Sequence, residues 1–356
     1  MILKQKKLHR ITKCIKNDLS IFEIELKNAM SSDVKLINLI GKYILRHKGK
    51  FFRPILTLLS SRLCGTPSQN TYRAAAMLEL LHIATLAHDD VVDDAEKRRG
   101  FFSINRVWKN KIAILMGDFI LSKTLINMVK LNDYEALQLI AETAEKLAAG
   151  EILQIEKSIT RSMDEEIYYE MIYQKTASLI STCCELGALT TSANEKDRLS
   201  IRSYGKNLGM AFQIKDDLFD ILGSQEETGK DMAADVKKNM ITLPLIYAKQ
   251  NLSEKKLKKL KNLLKIKNKS KTNIKLLKDI VNEVGGFAHA QKKIYYFSEK
   301  DPKFISDNFI FKDLSIEENK RLQLDLISEL DLAVLPDQVF KLAFACAIIA
   351  LNLFLV

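Results

Sequence analysis

Five stretches of this chain, residues 71–94, 111–131, 134–159, 164–191 and 195–222, carry apolar residues at three- and four-residue spacing. That period belongs to helices, and no long alternating apolar–polar run competes with it. Gly65-Thr66-Pro67-Ser68, Gly100, Ser192-Ala193-Asn194 and Gly223-Ser224 punctuate the stretches. Pro54 stands where a helix start loses nothing by a missing N–H. With 13 Gly and 5 Pro in 356 residues, collagen-like, low-complexity and turn-rich β architectures are excluded. The pattern predicts a single all-α domain over residues 1–300, with helices about 15–30 residues long.

Residues 301–356 read differently. Asp301-Pro302 breaks the preceding helix, and Phe304–Asn319 has no clear period. The chain closes on Phe340–Val356, 17 residues with one charge, Lys341. A membrane span needs about 20 apolar residues, so this segment is marginally short. Its first reading is a buried or interface helix, with membrane contact and a poorly ordered tail as alternatives.

Net charge is +11, from 55 Lys+Arg against 44 Asp+Glu, which suggests an anionic partner. The run from Lys249 to Lys278 holds 12 Lys with few aromatics. It reads as a solvated helical face, and no nucleic-acid partner is expected. Cys14, Cys64, Cys183, Cys184 and Cys346 show no CxxC spacing and read as reduced thiols of a cytoplasmic protein. The basic N-terminus lacks the apolar core of a signal peptide.

The strongest local feature is HDDVVDDAEKRRG, His88 to Gly100. On a helix Asp89 and Asp93 share one face, where they repel by about 0.2–0.5 kcal/mol. A divalent cation would offset that, and Mg²⁺ favours carboxylates, waters and substrate phosphate. A second cluster, Asp216-Asp217-Leu-Phe-Asp220, follows 127 residues later behind another apolar stretch. Two helices ending this way could rim an apolar cavity with acids, fitting a ligand with an anionic head and a hydrocarbon tail. Lys48, Lys50, Arg53, Arg98 and Arg99 could hold a second phosphorylated substrate.

Together these motifs resemble the trans-isoprenyl diphosphate synthases, the polyprenyl synthetase family. Gly49-Lys50-Phe-Phe-Arg53-Pro54 is similar to its GKxxRP motif. Leu81 to Asp93 with Arg98-Arg99-Gly100 is similar to its first aspartate-rich region, and Gly209 to Asp220 to its second. Gly117-Asp118, Gly150-Glu151, Lys175-Thr176, Gly229-Lys230, Asp235 and Thr242-Leu243-Pro244 match further blocks, in order, over about residues 20 to 295. The likeness is greatest to long-chain octaprenyl, heptaprenyl and solanesyl synthases.

The resemblance implies a bundle of long antiparallel helices around a central apolar cavity, usually a homodimer. It implies Mg²⁺-dependent head-to-tail condensation of isopentenyl diphosphate onto an allylic diphosphate, for quinone side chains or related isoprenoids. Asp89, Asp93 and Asp216 would hold Mg²⁺, about three ions per site, assisted by Asp90, Asp217 and Asp220. Arg98, Lys175, Thr176, Gln213 and Lys230 would contact the allylic diphosphate, with Lys175 and Lys230 counted as catalytic. Lys50, Arg53, His82 and Arg99 would hold isopentenyl diphosphate. His88 is expected to be structural or supporting. The released pyrophosphate would take the proton, so no general base is sought. Peripheral membrane contact would serve product release.

Ala84 and Thr85 lie four or five positions before Asp89, about 6–7.5 Å back along a helix. Short-chain relatives place aromatics at that depth, so Ala84 and Thr85 imply a long product, about C30–C45 and centred near about C40. The chain departs from the family from Asp301 onward. Two other readings are weighed: a non-catalytic prenyl-diphosphate-binding partner subunit, and an HD-type metal phosphohydrolase using His88-Asp89. The second leaves the Asp216–Asp220 cluster and Arg98-Arg99 unexplained.

Overall fold

A computed structural model describes residues 12–98, 100–160, 162–222, 241–266 and 270–299. Expectations that fall on Arg99, Lys230, Cys346 and 301–356 lie outside the described residues. The described chain is all-α apart from one two-stranded hairpin. Its helices are α1 (Lys16–Ala29), α2 (Lys35–Arg46), α3 (Phe52–Cys64), α4 (Gln69–Val92), α5 (Ile104–Val129), α6 (Tyr134–Thr160) and α7 (Glu165–Ile172). They continue as α8 (Ser178–Leu189), α9 (Glu195–Leu222), α10 (Leu243–Asn251), α11 (Glu254–Lys265), α12 (Lys271–Glu283) and α13 (Gly286–Glu299).

The helix starts follow from local chemistry. Ser68 and Thr71 form a reciprocal capping box at the head of α4: each side chain accepts from the other's backbone N–H. Asp133 accepts from Glu135 N and Ala136 N at 3.0 Å each, capping α6. Asp164 accepts from Ile167 N at 2.8 Å, capping α7. The stretch expected as one helix over 164–191 is interrupted by a π-helical turn, Tyr173–Ala177. α5 begins earlier than its apolar period indicates, at Ile104, because its first turns include exposed polar positions. Its backbone leaves the helical region at Lys109 (φ 70°, ψ 160°), which kinks it.

The helices group into two compact units. Unit one takes the described residues up to Ala144 together with Leu179–Gly205. Its polar knot is Asp18 on α1, which accepts from Arg62 Nε and Nη2 at 2.9 and 2.8 Å and from Tyr72 Oη at 2.8 Å. This buried, fully engaged carboxylate ties α1 to α3 and α4. The hairpin, β1 (Lys97–Arg98) and β2 (Phe101–Phe102), rests on α2: Tyr43 Oη donates to Phe102 O at 2.8 Å and the His47 ring packs on Phe101.

Unit two takes Glu145–Ser178 and the described residues from Lys206 onward. One core cluster gathers Tyr168, Met171, Met210, Ile214, Leu218, Ile246 and Ile294. A second gathers Ile221, Leu245, Leu260, Leu263, Leu277 and Val281, so the apolar stripes of α11 and α12 pack beside the last turn of α9. Glu165 fastens α13 to α7, within reach of His289 Nε2 and Lys293 Nζ at 3.1 Å each.

Candidate active site

In unit one the aspartates Asp89 to Asp94 close α4. Successive residues on a helix lie about 100° apart, so the four acids cannot share one environment. Asp90 turns inward and is 3% exposed, Asp89 is half-buried, and Asp93 and Asp94 are exposed. Arg98 Nε donates to Asp90 Oδ1 at 2.7 Å, and Asn105 Nδ2 donates to Asp90 O at 3.1 Å. Burial pushes the Asp90 carboxyl up from its ordinary value, the Arg98 guanidinium pulls it back, and Asp93 adds to the rise. Asp90 thus anchors the hairpin to the end of α4, while Asp89 and Asp93 keep the more accessible face.

His88 packs beside that turn. Its Nε2 lies 3.2 Å from Asp118 Oδ1 and 3.3 Å from Ile114 O. The ring covers Gly117: a Cβ there would lie 2.3 Å from His88 Nε2. The Gly117-Asp118 pair therefore lets α5 seat the histidine next to the aspartates.

A cavity of about 90 Å³ opens beside Asp90. Lys48, Gly49, Glu79 and Arg98 give it a polar edge, and Ile83, Leu86, Ala87, Phe101 and Phe102 give it apolar walls. Lys50, Arg53 and His82 do not line it. Lys50 is exposed, Arg53 half-buried and His82 buried. Lys48 is engaged by Glu23 at 2.7 Å. Between Lys50 and Arg53, Phe51 takes the left-handed conformation (φ 52°), a strained choice for an aromatic residue. Arg53 and Glu79 both act on the buried Cys183 thiol, which burial pushes up and the Arg53 charge opposes. Ala84 is 2% exposed and Thr85 donates to His82 O at 2.8 Å; neither lines the cavity.

Unit two repeats the aspartate arrangement at the end of α9. Asp217 is 6% exposed, Asp216 is exposed and Asp220 is half-buried. Asp217 accepts from Tyr168 Oη and from Gln213 Nε2, each at 2.7 Å. Gln213 Oε1 in turn accepts from Thr176 Oγ1 at 2.7 Å. The structure thus joins Thr176, Gln213 and Asp217, each a residue the sequence singles out, and adds Tyr168. Nothing in the local sequence announces Tyr168. It is 49 residues from Asp217 and reads as one more core aromatic.

Lys175 and Thr176 sit on the π turn, a local geometry often found at functional sites. Lys175 Nζ pairs with Glu151 and donates to Gln154 Oε1 at 2.9 Å. Gly150, just before Glu151, permits the approach. A Cβ there would lie 2.7 Å from Lys175 N.

Among the described residues no three His, Cys, Asp or Glu side chains converge as a ready metal cage. That donor set still suits Mg²⁺, which keeps several waters and takes one or two carboxylates plus substrate phosphate. In both motifs the inner aspartate is buried and hydrogen-bonded, Asp90 by the Arg98 cation and Asp217 by Tyr168 and Gln213, and the outer ones are more exposed.

The Polyprenyl synthetase family pattern matches residues 34–284. The chain is 35% identical over 270 residues to heptaprenyl diphosphate synthase component 2 of Bacillus subtilis, covering 76% of each. It is 33% identical over 241 residues to octaprenyl diphosphate synthase of Escherichia coli, covering 68% of this chain and 75% of that one. Its fold is similar to a polyprenyl synthase of Caulobacter crescentus crystallised with calcium and isoprenyl diphosphate. There the TM-score is 0.80 and the identity 25%, over 97% of both chains. With both aspartate motifs and the π turn inside the matched span, the chain belongs to the polyprenyl synthetase family and is a prenyltransferase.

Proposed function

We propose that this chain is a long-chain trans-polyprenyl diphosphate synthase, a single domain over residues 1–300 that adds isopentenyl diphosphate to an allylic diphosphate. One observation carries the reading. In each aspartate motif the middle acid is buried and hydrogen-bonded, Asp90 by Arg98 and Asp217 by Tyr168 and Gln213, while Asp89, Asp93 and Asp216 stay accessible.

In this reading Asp89, Asp93 and Asp216, assisted by Asp220, hold Mg²⁺, about three ions per site. Bound Mg²⁺ supplies charge neutralisation for a departing diphosphate. Arg98 spends Nε on Asp90, so its terminal amino groups can grip the allylic diphosphate. Lys175, steadied by Glu151 and Gln154, adds a point charge from the π turn. Thr176 and Gln213 orient Asp217 and border the same diphosphate; Lys230 belongs to the same set. Lys50, Arg53, His82 and Arg99 anchor isopentenyl diphosphate, so its double bond is held close to the allylic carbon. Apolar walls such as Ile83, Leu86 and Ala87 keep water from the cation left when diphosphate departs.

The product length, about C30–C45, rests on small residues at Ala84 and Thr85, one turn behind Asp89. The homodimer is part of the proposal. Its support is the apolar surface of α5, where Ile114, Leu115, Leu125, Ile126 and Val129 are exposed. By length and composition α5 alone among the described helices could cross a membrane, and 33% of its most apolar window is buried. We read that surface as a subunit contact. The name "component 2" of the Bacillus subtilis relative favours a second reading, in which the partner is a different chain. A cytoplasmic setting completes the proposal, supported by the thiol state of Cys14, Cys64, Cys183 and Cys184 among the described residues.

The test is incubation of the purified chain with isopentenyl and farnesyl diphosphates and Mg²⁺, followed by chromatography of the products. A ladder ending at one long prenyl diphosphate supports the proposal. No elongation by the chain alone, but elongation once a second subunit is added, supports the heteromeric reading.

A further inference from the structure

Much of this chain's positive charge falls within one stretch of its sequence. Between Lys249 and Glu283 there are twelve lysines against Glu254, Asp279 and Glu283, a net +9 within a chain of net +11. The described part of this stretch includes the end of α10 and all of α11 and α12. On α11, Leu260 and Leu263 are buried against Leu245 and Leu277, and Lys255, Lys256, Lys258, Lys259, Lys261 and Lys265 are all exposed. Among the described residues the only ion pair reaching these lysines is Lys256 with Glu283. Burial, and then the charge of Lys261, push the Lys249 ammonium below its ordinary value. Twelve lysines thus stand against three carboxylates in this stretch.

Clustered like charge works against folding, so its use lies in what it meets. The stretch contains no aromatic residue on which a base could stack, and no arginine to fork onto a single phosphate. Lysines are compact point charges suited to a diffuse anionic surface. The one large apolar side chain exposed along it is Ile266, at 36%, so insertion into lipid has little to drive it. The apolar backs of α11 and α12 pack with Ile221, the neighbour of Asp220, which fixes the lysine face to the helix bearing the second aspartate motif.

We propose that the lysine face of α11 and α12 docks this protein on the surface of an anionic phospholipid bilayer. Docking is electrostatic and reversible, with about 1 kcal/mol contributed by each lysine near the surface. Its purpose, handing a long apolar product to lipid, rests on the long-chain reading above; the binding itself is measured without turnover.

The full-length chain is mixed with extruded vesicles of phosphatidylcholine, alone or with about 30% phosphatidylglycerol, and separated by flotation. The protein should float with the anionic vesicles at about 0.05 M salt, be released at about 0.5 M, and ignore neutral vesicles. The variant K255Q/K258Q/K259Q/K261Q should bind anionic vesicles at least about 100-fold more weakly, at about fivefold per lysine. Its melting temperature and its turnover of soluble substrates should not change. Equal binding to neutral vesicles, or a quadruple variant that floats like the parent, overturns the proposal. So does a chain that ignores vesicles but is retained by single-stranded RNA at the same salt. An inactive chain that still floats removes the enzymatic reading and leaves the docking face; an active chain that never floats does the reverse.

Discussion

Tyr168 on α7 and Asp217 on α9 meet through a 2.7 Å hydrogen bond, and both side chains are buried. The phenol donates to one carboxylate oxygen while Gln213 donates to the other, so the buried charge is satisfied on both sides. Tyr168→Phe removes one of these donors from a buried carboxylate. The variant should lose about 1.5–3 kcal/mol of stability. Its kcat should fall by about one order of magnitude, because Gln213 and Asp216 share that turn. Thermal melts and steady-state kinetics check this; an unchanged kcat in a folded variant would show that Tyr168 only packs.

The accessible aspartates should matter in another way. Asp89→Ala or Asp216→Ala should lower turnover by at least about a hundredfold, with the melting temperature nearly kept, since each removes an exposed or half-buried carboxylate. Comparable kinetics at saturating Mg²⁺ in either variant would remove it from the metal set.

Gly150→Ala places a methyl group 2.7 Å from the backbone nitrogen of Lys175. Backbone cannot yield as a flexible side chain does, so the π turn must move away from α6. The expected result is a stability loss of about 1–3 kcal/mol and a raised KM for the allylic substrate, with KM for isopentenyl diphosphate nearly unchanged. Kinetics with each substrate varied in turn separate the two effects.

Ala84→Phe puts an aromatic ring at a position that is 2% exposed. If the growing chain passes this residue, the product should shorten to about C15–C20, with a stability loss of about 1–3 kcal/mol from overpacking. Chromatography of the products decides. Full-length chains from a folded, active variant would show that the tail runs elsewhere and that Ala84 is small for helix packing.

Glu165 gives a pH dependence with a definite sign. Burial alone would raise its carboxyl, but the Tyr169 hydroxyl, Lys293 and His289 outweigh that and hold it below the ordinary value. A carboxylate lowered by folding adds stability above its unfolded value of about 4.3 and loses it as pH falls through the folded value. Glu165→Gln should therefore be less stable than the parent at neutral pH, by about 1–3 kcal/mol. The gap should close as the pH falls below about 4.3. Denaturant melts across that range measure it.

The order of the helices and the two acid clusters were legible in the residues themselves. Apolar spacing over 134–159 and 195–222 is a local property, and the helices observed there, Tyr134–Thr160 and Glu195–Leu222, follow it closely. The i, i+4 spacing of Asp89 with Asp93, and of Asp216 with Asp220, is likewise local, because a helix places such residues on one face whatever surrounds it. What sequence spacing could not assign was the partner of each group. That Asp90 is held by Arg98, that Asp217 is held by Tyr168, and that Lys175 lies on a π turn between Glu151 and Gln154 depend on which helices pack together. The sequence alone determined which residues carry charge and which face of a helix they share. Tertiary packing decided which of those charges are buried and engaged and which remain accessible, because burial and hydrogen-bond partners come from residues distant in the chain.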